Sequence, residues 1–163
     1  MMEKNIFLLL GSNLGDRLKN LQTAATLIQK EIGAIRATSK VYATAPWGKS
    51  DQGEFLNQAI KIESALLPSG VLQRILSIEK SMGRKRVEKW GERLIDIDIL
   101  YYGEEIINED GLVVPHPRIA DRRFVLVPLA ELSAEFVHPL LHQTNAQLLA
   151  ACTDALPVTV FTY

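Results

Sequence analysis

The sequence is short of several things that define familiar protein classes. Its single cysteine, Cys152, cannot pair within the chain, so no internal disulfide framework exists and a reducing, cytoplasmic compartment is expected. In its run Leu-Leu-Ala-Ala-Cys it reads as a small core residue rather than a nucleophile. No apolar run approaches the length of a membrane span, and Ile6–Leu10 is too short for a signal-peptide core. Charge of neither sign dominates: 18 Lys and Arg face 19 Asp and Glu, for a formal net charge of −1. No global field therefore draws the chain to nucleic acid or to a membrane surface, and any basic site must be local. There is no GxxxxGK[ST] loop, no dinucleotide fingerprint, no internal repeat and no low-complexity tract. Of the three histidines, His138 and His142 have a spacing that would suit a metal on a helix, but Pro139 argues against a helix there.

What remains is a chain of 163 residues, 47% hydrophobic and 23% charged, long enough to bury one self-sufficient core. Residues 1–163 are expected to form a single domain. Residues 5–10 read as a buried strand, which Gly-Ser-Asn-Leu-Gly-Asp breaks. That segment and Arg17 predict a tight turn capping a first helix. Apolar residues at 14, 18, 21, 25, 28 and 32 then form a helical stripe, and Gly33 is placed to end it. Residues 36–45 predict a strand that Pro46 stops, and residues 56–64 alternate as a half-buried strand does. Pro68 opens a second helix, with Val71, Ile75, Ile78 and Met82 at helical spacing. Residues 94–102 predict another strand. The order β-α-β-β-α-β predicts an α+β, ferredoxin-like core: an antiparallel sheet with both helices on one face. Further on, a hairpin turning at Asp110-Gly111 is expected, then a short helix after Pro117, a helix capped at Thr144 or Asn145, and a last strand over 158–162.

The strand over 94–102 carries the chemistry. Side chains at i and i+2 of a strand point the same way, so Asp96 and Asp98 share a face while Ile95, Ile97 and Ile99 line the other. Two carboxylates this close repel one another, and a divalent cation removes that repulsion. Mg²⁺ is commonly held by one or two carboxylates plus substrate phosphates. A solvated polar stripe on an edge strand is the plainer reading of Asp-x-Asp alone. Just upstream, however, Arg84, Lys85, Arg86, Lys89 and Arg93 outnumber Glu88 and Glu92 between Gly83 and residue 94. Guanidinium forks beside a carboxylate pair suit phosphate chemistry. Trp90 adds a flat surface for a ring. His116, Arg118, Arg122 and Arg123 form a second basic cluster. The long loop over 44–57 offers Phe55 for stacking and Asn57 for pairing with a heterocycle edge.

In combination these segments resemble the 6-hydroxymethyl-7,8-dihydropterin pyrophosphokinases of folate biosynthesis. The resemblance is carried in order by LGSNLGDR, Y-x-T-x-P-x-G, DQ-x-x-FLN, IE-x-x-x-GR-x-R, KWGER, IDIDIL and VPHPR-x-x-x-R-x-F, over residues 9–124. It implies a monomeric ferredoxin-like enzyme that moves the diphosphate of ATP to the pterin hydroxymethyl group and releases AMP. Asp96 and Asp98 match ligands for two Mg²⁺ ions. Arg84 and Arg93 match loop arginines that engage the transferring phosphates. Glu79, Arg86, Trp90, Ile99, His116 and Arg122 match positions near ATP. Thr44, Ala45, Trp47, Phe55, Asn57 and Phe124 match the pterin pocket, with the ring between Phe55 and Phe124. Glu92 departs from the family pattern, which has proline there. No nucleic acid or membrane partner is implied. Two other readings compete: a ferredoxin-like RNA-binding module, against which stand the absence of paired aromatics on the central strands and the net charge, and a pterin- or nucleotide-binding protein without catalysis.

Overall fold

A computed structural model describes residues 3–45, 53–83 and 94–162. Among these residues, strand β1 (Lys4–Ser12) is followed by helix α1 (Arg17–Glu31), strands β2 (Ala34–Thr38), β3 (Tyr42–Thr44) and β4 (Phe55–Ser64), helix α2 (Pro68–Ser81) and strand β5 (Asp96–Tyr102). The hairpin β6 (Ile107–Glu109) and β7 (Leu112–Val114) comes next, with a 3₁₀ turn at Ile119–Asp121. Helices α3 (Arg123–Ser133) and α4 (Asn145–Ala151) and strand β8 (Val158–Val160) complete the order. The main sheet runs β5-β1-β4-β3-β8, with β2 paired beside β3 on the same edge of β4, and every pairing in it is antiparallel.

The local reasons are visible in the sequence. Asp16 caps α1, its Oδ1 accepting from the Lys19 amide at 3.2 Å. Gly15 before it has φ +69°, which a glycine adopts without strain. Pro68 sits in the first turn of α2, where its missing N–H has no partner to lose. Thr144 and Gln147 form a capping box at the start of α4. Gly111 turns the β6–β7 hairpin at φ +76°.

One expected strand is really two. Residues 36–45 divide into β2, which starts at Ala34, and β3, because the chain between them is held by side chains. The Ser39 N–H reaches the Ala59 carbonyl at 2.9 Å, and the Ser39 hydroxyl accepts from the Ala59 N–H at 2.9 Å. The Lys40 N–H turns away to the Glu131 carboxylate at 3.1 Å. β3 therefore resumes against Phe55, Leu56 and Asn57, at the other end of β4.

Both faces of the sheet are covered. On one, Ile6, Leu8 and Leu10 of β1 and Ile97 and Ile99 of β5 meet Leu21, Ala24 and Ile28 of α1 and Val71, Ile75 and Ile78 of α2. On the other, Phe7 and Leu9 meet Val125, Leu126 and Leu129 of α3 and Leu148 of α4. That is why β1 reads as a continuous apolar run instead of an alternating one. It also removes the open sheet face on which an RNA-binding module of this class stacks bases. Near its end β5 carries a bulge: Ile99 lies opposite Leu8 and Tyr101 opposite Phe7, leaving Leu100 extra. No described helix is long and apolar enough to cross a membrane.

Gly33 does more than end α1. A Cβ there would lie 2.1 Å from the Glu63 carbonyl oxygen, so the chain presses directly on β4. Gly33→Ala is expected to destabilise the protein by about 2 kcal/mol or more, as overpacking against backbone does. Urea unfolding measures this, and an unchanged midpoint would remove the close approach from the account.

Candidate active site

β5 fixes the carboxylates. Asp96 lies opposite Gly11 and Asp98 opposite Leu9, both half-buried, while Ile95, Ile97 and Ile99 are buried in the core under α1 and α2. The expected division of the strand into an acidic and an apolar face is observed. Glu79 of α2 is buried at 3% exposure, and its Oε2 accepts from the Ile97 N–H at 2.8 Å. It therefore grips the backbone between the two aspartates.

The hairpin carries the second group into place. After β7 and the cis Val114–Pro115 bond, the His116 N–H bonds to the Leu100 carbonyl at 3.0 Å. His116 Nδ1 accepts from the Arg118 N–H at 3.1 Å, so the neutral ring carries its proton on Nε2. Burial pushes the His116 pKa down to about 4, helped by the cationic Arg122 and Arg118 and opposed by Asp96. Arg122 ends the 3₁₀ turn and precedes α3. Its pKa is lowered by burial and by Arg118, while Asp98 and Asp96 pull it up. Both carboxylates thus share a field with Arg122, and Asp96 with His116.

Beside these groups a cleft of about 260 Å³ is lined by Leu72 and Ile75 of α2, by Gly111, Leu112 and Val113 of the hairpin, by Ile97, Asp98 and Ile99 of β5, and by His116 and Pro117. Apolar walls leading to a carboxylate and a neutral imidazole suit a ligand with a flat apolar end and a polar end, which can be anionic where a cation bridges it to the carboxylate.

Further into the sheet, Asn57 of β4 lies opposite both Gly11 and Tyr42. Asn57 is 3% exposed and its Nδ2 donates to Thr44 Oγ1 at 3.1 Å. A Cβ at Gly11 would lie 2.7 Å from Asn57 Oδ1 and 3.7 Å from the Phe55 ring. Gly11 thus leaves room for the amide, a role not anticipated from the sequence. Its signal was available: glycine inside an apolar strand marks a close approach. Phe55, opposite Thr44, and Ala45, just past β3, are half-buried. Phe124 stands in the first turn of α3, its ring 5.7 Å from the Arg122 guanidinium carbon. Asp98, Ile99 and His116 line the cleft, Asp96 and Arg122 are coupled to them electrostatically, and Glu79 holds the strand at Ile97. Thr44, Phe55 and Asn57 form a neighbouring group along β3 and β4. Arg84, Arg86, Trp90, Glu92, Arg93 and Trp47 lie outside the described residues. The segment that holds most of them leaves Gly83 and rejoins at Leu94, which are neighbours: a Cβ at Gly83 would lie 3.4 Å from a Leu94 methyl.

The donor set fits a hydrated, hard cation. Asp96 and Asp98 present carboxylate oxygens from one face, and no cluster of three or more acidic, histidine or cysteine ligands surrounds them among the described residues. Two carboxylates completed by water and phosphate oxygens are the usual set for Mg²⁺.

Comparison with known proteins supplies the lineage. The family model described as 7,8-dihydro-6-hydroxymethylpterin-pyrophosphokinase matches residues 7–134. The 2-amino-4-hydroxy-6-hydroxymethyldihydropteridine pyrophosphokinase of Methylorubrum extorquens is 44% identical over 132 residues, 80% of this chain and 84% of that one. The Aquifex aeolicus protein of the same name is 42% identical over 135 residues, 83% of this chain and 84% of that one. The Pneumocystis carinii folic acid synthesis protein fol1 is 37% identical over 160 residues, 97% of this chain but 22% of its own length. Among solved structures, the wild-type HPPK-DHPS of Plasmodium falciparum superposes with a TM-score of 0.75 at 20% identity, covering 91% of this chain and 44% of that one. The last two relatives are thus much longer than this chain, and the structural likeness speaks for the fold alone. With the family model spanning most of the sequence, the chain belongs to the 7,8-dihydro-6-hydroxymethylpterin-pyrophosphokinase family.

Proposed function

We propose that the chain transfers the diphosphate of ATP to the hydroxymethyl group of 6-hydroxymethyl-7,8-dihydropterin, releasing AMP, as a step of folate synthesis. The observation that carries this reading is the same-face pair Asp96 and Asp98, both coupled electrostatically to Arg122, with Asp98 and His116 lining an apolar-walled cleft. The hydroxymethyl oxygen attacks the β-phosphorus, the bond from that phosphorus to the oxygen bridging to the α-phosphate breaks, and AMP leaves with the bridging oxygen. The hydroxyl proton departs to solvent or to a phosphate oxygen. Little covalent chemistry is asked of the protein, and alignment and charge neutralisation supply most of the rate.

Each group has a part. The cleft walls at Leu72, Ile75 and Leu112 hold the adenine, leading the phosphates toward β5. Asp96 and Asp98 hold Mg²⁺, two ions in this reading, and bound Mg²⁺ supplies neutralisation of the phosphate oxygens. Arg122 meets phosphate oxygens with a guanidinium fork and His116 with its Nε2–H. Arg84, Arg86 and Arg93 add charge and Trp90 a cover, while Ile99 packs beneath the nucleotide and Glu79 steadies the strand. The pterin lies between Phe55 and Phe124. Asn57, Thr44, Ala45 and Trp47 surround its edge, and the Asn57 amide suits a heterocycle that offers both a donor and an acceptor. Groups for both substrates come from one polypeptide, so a monomeric, single-domain enzyme suffices, and nothing in the scheme requires a compartment other than the cytoplasm.

Incubation with ATP, Mg²⁺ and the hydroxymethyl-dihydropterin is expected to yield AMP; ADP, or no nucleotide product, would sink the proposal. Asp96→Ala and Asp98→Ala are each expected to lower turnover about 100-fold or more, the scale on which preorganised electrostatic groups act. Circular dichroism should show the fold unchanged, and near-normal turnover in either variant would refute the metal assignment.

A neutral His116 donates without titrating near neutrality. Its folded pKa of about 4 lies below the ordinary 6.5, so between these values the unfolded chain binds the extra proton. His116 therefore costs stability progressively as pH falls from 6.5 toward 4. Melting curves of the wild type should show this decline, and His116→Gln should make it shallower. An equal slope in the variant would assign the decline to other groups.

A further inference from the structure

We propose that Asp154, in the segment between α4 and β8, is a positioning residue for this reaction, capping α3 from outside so that Arg122 and Phe124 are held in register. The proposal rests on the functional reading above, which places Arg122 at the nucleotide and Phe124 at the pterin.

Helix α3 begins badly on its own account. Its N-cap residue is Arg122, in an extended conformation (φ −126°, ψ 109°), and it provides no side-chain cap. No acidic residue stands in the first turn. Two arginines, 122 and 123, occupy the end where the helix dipole is positive and cations are disfavoured. A helix start of this kind offers no side-chain acceptor of its own to its first N–H groups. Asp154 supplies one and adds a negative charge beside Arg123. Its Oδ2 accepts from the Arg123 N–H at 3.0 Å, across 31 residues of sequence. Its Oδ1 accepts from the Leu156 N–H at 3.0 Å, so the carboxylate is itself held from the other side.

The segment bearing Asp154 is tied at both ends. The Cys152 N–H bonds to the Leu149 carbonyl at 3.2 Å, closing α4. Beyond it, β8 pairs with β3, placing Val158 opposite Thr44, and the Phe161 N–H bonds to the Val41 carbonyl at 2.8 Å. Asp154 therefore reaches α3 from a strip of chain already fixed to the sheet that holds Thr44 and Asn57. The α3 N–H it grips belongs to the residue between Arg122 and Phe124. Loosening that point moves one group of each substrate site at once, so the effect is expected on both substrates and not on one.

The test compares three variants. Asp154→Ala removes the cap. Asp154→Asn keeps one of the two acceptor oxygens. Thr144→Ala breaks the capping box of α4, a similar loss in the same region that leaves the start of α3 alone. In Asp154→Ala, hydrogen exchange at the amides of residues 123–125 should accelerate. At a temperature where all variants are folded, KM for both ATP and the pterin should rise about three- to tenfold and kcat should fall, because small misplacements are costly in aligned transfer. Asp154→Asn should lie between. Thr144→Ala should lower the melting temperature but leave both KM values within about twofold. Wild-type KM values in Asp154→Ala, or the same rise in Thr144→Ala at equal loss of melting temperature, would overturn the proposal. The wild type is assayed first. A wild type that releases no AMP refutes the functional reading instead, and exchange at Arg123 still decides whether Asp154 holds the start of the helix.

Discussion

The hydrogen bond from the Ile97 amide to Glu79 is the point on which the site depends. β5 is the edge of the sheet, and an edge strand turns half of its N–H groups away from its only neighbour. Ile97 is buried, so its outward amide cannot rely on water, and an unanswered buried amide costs about 1–3 kcal/mol. Glu79, equally buried, answers it from α2. The bond also pins register. A slip of β5 by one residue would turn Asp96 and Asp98 toward the core under α1 and α2 and bring the isoleucines out. One carboxylate in the interior thereby keeps two others at the surface, on the side where cations wait.

The bulge at the far end of β5 sets which apolar residues follow the acidic face. Strict alternation would place only Leu100 and Tyr102 on that face after Asp98. With Leu100 extra, Leu100 and Tyr101 both enter the core under α3 and α4, while Tyr102 returns to the other side. Tyr101 then reaches Asn145 of α4 with its hydroxyl at 2.7 Å and packs against Phe7 and Phe136. The polar stretch is confined to Asp96 and Asp98. The apolar stretch beyond it is the seat for the two helices, the first of which brings Arg122 and Phe124. The charges are arranged by the fold itself: two carboxylates coupled to a half-buried arginine, and an imidazole held neutral.

The parts of this arrangement that follow a short period were legible in the sequence. Period two paired the aspartates, the helical stripe marked α1 and α2, and Asp110-Gly111 marked the hairpin turn. The parts set by distant polar contacts were not. Residues 36–45 have the composition of one strand, and only Ser39 meeting Ala59, with Lys40 meeting Glu131, divides them. The extent of α3 was hidden by Pro128, which lacks the N–H that would bond to the Phe124 carbonyl. Burial of Leu126 and Leu129, both 0% exposed, outweighs that loss. Arg17, expected only to help turn into α1, donates to the Glu54 carbonyl at 2.9 Å, one residue before Phe55. No local pattern announces a bond across 37 positions.

The same logic explains how Phe55 and Phe124, the two rings proposed to stack on the pterin, can be kept in register. Phe55 belongs to the sheet and Phe124 to α3, so their relation is set by how α3 docks. Apolar packing alone resists separation more than it resists sliding. Directional bonds resist sliding, and Glu131 makes them at the third turn of α3. It accepts from the Tyr42 hydroxyl at 2.5 Å and from the Lys40 N–H. Burial, then Glu131 itself, pushes the Tyr42 pKa up to about 12, so the hydroxyl keeps its proton and remains a donor throughout the physiological range. Tyr42 lies opposite Asn57, and Asn57 donates to Thr44 two residues along from Tyr42. The helix is thus tied by a carboxylate to the very strand pair that carries the polar groups of the proposed ring site, and a shift of α3 must move or break that tie.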